Sequence, residues 1–85
     1  MIEGKELLEF ATEMIKVLNE KFEKFEKDNN YDDITEEWIL QNIENQLEKY
    51  IKLPVWKRNE AEYTEYKKRR LIHIANFAFL LYNKL

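Results

Sequence analysis

The chain has no cysteine and no serine, and only one glycine, one proline and one histidine among its 85 residues. Without cysteine there can be no disulfide and no thiolate metal site. Without serine or cysteine, no Ser/His/Asp or Cys/His nucleophile set can be assembled. A single histidine cannot complete a zinc site without further histidine or thiolate ligands. One glycine and one proline leave almost nothing for hairpin turns or a glycine-rich phosphate loop. A positive balance is also missing: the net charge is −3, whereas a general nucleic-acid binder is strongly basic. The longest apolar run lies at the C-terminal end, is shorter than the ~20 residues of a membrane span, and is interrupted by Asn76 and Asn83. Glu3, Lys5, Glu6 and Glu9 give no signal-peptide pattern. The expectation is a single cytoplasmic domain over 1–85, near the size where one core gives only a few kcal/mol of net stability.

What is abundant is charge of mixed sign, at 36% of residues, threaded with helical apolar spacing. Leu8, Ala11, Ile15, Leu18, Phe22 and Phe25 step by threes and fours, which predicts a first helix over about 4–27 with that line as its buried seam. Asp28 to Asp33 then breaks it, since Asp and Asn side chains compete for local backbone groups. Asp28, Asn30 and Asp32 are spaced like the start of a calcium loop, but Asp33 stands in the glycine place and Ile39 in the closing glutamate place, so the segment reads as a turn.

Asp33 with Glu36 has the form of a capping box, opening a second helix over about 34–52. Its apolar arc comprises Ile39, Leu40, Ile43, Leu47, Tyr50 and Ile51, and Glu37, Gln41, Glu44 and Glu48 make a polar stripe. Leu53-Pro54 ends it. After a connector holding Trp56, Lys57 and Arg58, Asn59 with Glu62 caps a third helix over about 60–84. From Leu71 to Leu85 this helix has eleven apolar residues and four polar ones, His73, Asn76, Asn83 and Lys84. That apolar arc is wider than one core contact requires. The pattern predicts an all-α, three-helix antiparallel bundle that homodimerises through the third helix and also the first.

Glu44 and Glu48 stand one helical turn apart with Asn45 beside them, a spacing that can bring two carboxylates to one Mg²⁺ or simply form a solvated face. The stretch Glu37-Trp38-Ile39-Leu40 leading into Ile43-Glu44-Asn45-Gln46-Leu47-Glu48 resembles the metal-binding helix of the MazG-like, all-α nucleoside triphosphate pyrophosphohydrolases, whose motif is Glu-Glu-x-x-Glu. Ile72-His73-Ile74-Ala75-Asn76-Phe77-Ala78 is similar to the family's second segment, built on Glu-x-x-Asp. The 21 residues between Glu48 and Arg70 fit the usual separation, and the likeness covers roughly 33–85. It implies a helical fold and Mg²⁺-dependent cleavage of nucleoside triphosphates to monophosphate and pyrophosphate.

The departures point elsewhere. Asn45 replaces the second glutamate of the first motif, Arg70 the glutamate and His73 the aspartate of the second. Acid clusters of this kind hold Mg²⁺ and generate an attacking hydroxide, and an arginine in that space repels the cation it would have to share. The sequence thus predicts a non-catalytic nucleotide-binding or assembly module. In it Glu44, Asn45, Glu48, Arg70, His73 and Asn76 line a residual pocket, and Arg70 or His73 pairs with the glutamates. The alternatives are an active hydrolase with Glu44 and Glu48 as Mg²⁺ ligands, or a structural interaction bundle. The basic run Lys67 to Arg70 is diluted by Glu60, Glu62 and Glu65, which favours a nucleotide or other anion over nucleic acid as its ligand.

Overall fold

The computed structural model describes the backbone of residues 3–28, 34–52 and 59–85, and all their side chains except those of 22–28. These residues form three α-helices, α1 (Gly4–Asp28), α2 (Glu36–Ile51) and α3 (Glu60–Lys84), with no strand among them. By contact density the chain divides into two compact units, Met1–Ile34 and Thr35–Leu85, where the sequence pattern has one domain.

In the first unit, α1 is a 25-residue helix rich in Glu and Lys, residues that lose little rotamer freedom in a helix. Among its described side chains Val17 is the deepest, with Ala11, Met14 and Leu18 half-buried around it. The seam expected from sequence is therefore displaced, because Leu8 and Ile15 lie exposed. Phe22 and Phe25, the rest of that seam, and the Asp/Asn turn after residue 28 fall outside the described side chains or residues.

The second unit is a helical hairpin. Helix α2 begins after Thr35, whose extended backbone and hydroxyl cap it: Trp38 N–H donates to Thr35 Oγ1 at 3.1 Å. The cap is thus Thr35, two residues beyond the Asp33 inferred from sequence; Asp33 itself is outside the described residues. Glu36 and Glu37 in the first turn and Lys49 in the last suit the helix macrodipole. Helix α3 starts as predicted, with Glu62 N–H donating to Asn59 Oδ1 at 2.8 Å. The Leu53-Pro54 stop and the Trp56 connector lie outside the described residues.

Two side-chain contacts fix how α2 and α3 pack. The Trp38 ring meets Phe77 edge-on at 5.9 Å, and Lys67 Nζ sits 5.9 Å from the centre of the Tyr50 ring. Trp38 is near the start of α2 and Phe77 near the end of α3, so the helices run antiparallel. Among the described residues of this unit Ile39 and Ile72 are the buried apolar ones, and Ile43, Tyr50, Tyr66, Phe77 and Leu80 are half-buried. The buried face of α2 is turned by roughly 60° from the arc read in the sequence, at 100° per residue. Ile39, Asn42, Ile43, Gln46 and Tyr50 are covered, whereas Leu40, Leu47 and Ile51 are exposed. The contact of Trp38 with Phe77 accounts for the turn, since Trp38 lies on the far edge of that face.

Candidate functional site

The six candidate residues fall on two different kinds of surface. On α2, Glu44, Asn45 and Glu48 are all exposed. Glu48 Oε1 accepts from Lys52 Nζ at 2.9 Å, an ion pair within one turn. This hydrogen bond, with the lysine charge, holds the Glu48 carboxyl below its ordinary pKa and raises that of Lys52. The expected cross-helix pairing of Glu48 is thus replaced by a local one. Lys52 is four residues on, within easy reach along a helix. Asn45 Oδ1 accepts from Gln41 Nε2 at 3.2 Å.

On α3 the same prediction places side chains inward. Arg70 and His73 are half-buried, and Asn76 is buried to 5% exposure. The Arg70 guanidinium lies 4.8 Å from the centre of the Tyr66 ring, a cation–π contact. Arg70 Nε and Asn76 Oδ1 are both buried without a hydrogen-bond partner. The structure therefore brings Arg70, His73 and Asn76 to the inner side of α3 and leaves Glu44, Asn45 and Glu48 in solvent.

One residue of this polar group was not singled out by sequence. Gln46 is half-buried and its Oε1 also lacks a partner. Counting from either cross-helix contact, each step along α2 is a step back along α3, so Gln46 lies at the level of about residue 70. An unfilled acceptor on α2 and an unfilled donor on α3 thus lie at about the same level of the hairpin. Gln46 sits between Ile43 and Tyr50 at helical spacing, which was the signal that could have revealed it. Other polar side chains within the helices satisfy themselves locally: Thr12, Asn42, Thr64 and Asn83 each donate to the carbonyl four residues back, at 2.7–2.9 Å.

Beside Arg70, an open depression of about 500 Å³ is lined by Ala61, Glu62, Glu65, Tyr66, Arg69 and Arg70. Its two carboxylates offset its two guanidiniums, so the lining has no strong preference for an anion. Among the described residues, no three His, Asp or Glu side chains are grouped so as to share an ion. No described helix is long and apolar enough to cross a membrane. No family model, curated protein or solved structure matches the chain.

Proposed function

We propose that the chain is a helical assembly module, MazG-like in its pattern of motifs, that binds and pairs but does not hydrolyse. The observation that carries this reading is the separation of its polar residues. The acidic ones stand on the solvent side of α2 with Glu48 engaged by Lys52, and the inner side of α3 carries an arginine, a histidine and an asparagine. A carboxylate cluster that could neutralise Mg²⁺ beside a triphosphate needs acids converging on one point. Assembly is supported by the large apolar side chains left exposed on each helix, among them Leu8 and Ile15 on α1, Leu47 and Ile51 on α2, and Phe79 and Tyr82 on α3.

The competing reading, an Mg²⁺-dependent pyrophosphohydrolase, draws on one observation: Glu44 and Glu48 are exposed one turn apart and free of any burial that would hinder a cation. A pyrophosphate-release assay with Mg²⁺ or Mn²⁺ and the eight common nucleoside triphosphates decides between them. The expected result is no release above a protein-free control. Turnover that disappears in Glu44→Gln and Glu48→Gln would overturn the module reading. Thermal-shift measurements with the same nucleotides test the binding role, because a ligand held by the native state raises the melting temperature.

A further inference from the structure

The outward face of α3 has an order to it. Leu71, Ala75, Ala78 and Tyr82 recur at steps of four, three and four, preceded by Lys68 and followed by Leu85. This line lies on the side of α3 away from the Arg70, His73 and Phe77 face that meets α2. Leu71 is 44% exposed, Phe79 on its flank 48%, Tyr82 79% and Leu85 88%. Two of the four polar residues of this stretch, His73 and above all Asn76, are instead turned inward.

Resting on the assembly reading, we infer that this face pairs with the same face of a second copy of the chain, the two α3 helices running antiparallel with Ala75 of each against Ala78 of the other. In size the line reads large, small, small, large, so it is unchanged by reversal, as a two-fold contact demands. In the antiparallel layers Leu71 meets the partner's Tyr82, and the paired alanines let the helices approach closely at the centre.

Charge selects the direction. A parallel pair would set Lys68 of both copies side by side, with the rest of the basic run Lys67 to Arg70 at the same level. The antiparallel pair sends them to opposite ends and brings Lys68 to the level of the partner's Leu85, where the last carbonyls of α3 carry partial negative charge. The area is sufficient as well. With bulky side chains offering about 150–250 Å² each, Leu71, Phe79, Tyr82 and Leu85 at their exposures contribute roughly 500 Å² per copy. The Lys68 stem and the two alanines carry this to the lower end of stable interfaces, about 600 Å² a side.

The natural absence of cysteine makes the pairing readable by cross-linking in the full-length chain. Leu71→Cys and Tyr82→Cys are prepared separately, then oxidised alone and as an equal mixture, with sedimentation equilibrium of the unmodified chain alongside. The mixture is expected to form disulfide dimers at least tenfold faster than either variant alone, because identical positions would lie about 16 Å apart along the axis, eleven residues at the helical rise, beyond disulfide reach. Faster cross-linking by either variant alone overturns the antiparallel arrangement. A dimer in sedimentation with no preference for the mixture overturns the α3 pairing and leaves the assembly reading standing. A monomer at all concentrations sinks both.

Discussion

At the scale of single residues, the sequence exposed the unusual side chains but not their neighbours. His73 and Asn76 stand out as polar residues on an apolar helix and Arg70 as a departure from the resembled motif, and all three turn inward. The partner expected for Glu48 was misplaced because a sequence cannot rank a lysine four residues on against an arginine across a helix pair; the local one wins by proximity. Lys52→Met should therefore raise the Glu48 pKa back toward the usual carboxylate range, a change readable by NMR titration. Since this carboxyl is held below its ordinary value, the pair's contribution to stability is present above the normal carboxylate range and lost as pH falls through the folded pKa. The orphans Gln46 Oε1 and Arg70 Nε, at about one level of the hairpin, offer a sharper test. Gln46→Glu places a carboxylate at the level of the guanidinium and should stabilise the protein at neutral pH by about 1.5–3 kcal/mol, typical of a hydrogen bond to a charged group. Urea denaturation at neutral pH and again near pH 3 checks it: the depressed carboxyl makes the gain disappear in acid. No gain at either pH would mean the two side chains do not meet.

At the scale of elements, the helices were legible because caps and spacing are local signals. Asn59 with Glu62 gave the start of α3 to the residue, and Thr35 took over from Asp33 at α2 because its hydroxyl reaches Trp38 N–H. Asn59→Ala and Thr35→Ala should each cost about 1 kcal/mol, read as a lowered urea midpoint with an unchanged slope. What the pattern did not show is which part of a wide apolar arc meets a neighbour. On α2 the arc from Ile39 to Ile51 holds enough apolar side chains for two contacts, and the edge with Ile39 is the buried one. The Trp38–Phe77 pair fixes that choice. A double-mutant cycle on Trp38→Leu and Phe77→Leu should give a coupling of about 0.5–1.5 kcal/mol, in the range of edge-on aromatic pairs; additive effects would show that the rings do not set the rotation of α2.

At the scale of the whole molecule, the composition foretold an all-helical chain, and the three helices follow from it. The identity of the covered polar residues was less legible, because it depended on the rotation of α2, which brings Gln46 rather than Glu44 and Glu48 to the covered side. The surplus of apolar side chains was legible: a helix with eleven apolar residues in its last fifteen has more than one surface to satisfy. Self-association makes stability depend on concentration, so the melting temperature should climb by several degrees between micromolar and millimolar protein. Ala78→Glu, at an exposed position, should abolish that climb while leaving the helical circular dichroism intact. Lys68→Glu should weaken pairing by about two- to fivefold, the scale of one charge at a helix end.

The hairpin of α2 and α3 is joined within a short stretch of chain, its deepest apolar pair being Ile39 and Ile72. Most of the hydrogen bonds in such a hairpin lie within its helices, between residues only four apart, and structures rich in such local contacts form in microseconds to milliseconds. A newly made chain would then meet its twin with its greasy stripe already stiffened into a helix, and the encounter would be limited by diffusion and orientation, not by the ordering of a floppy segment.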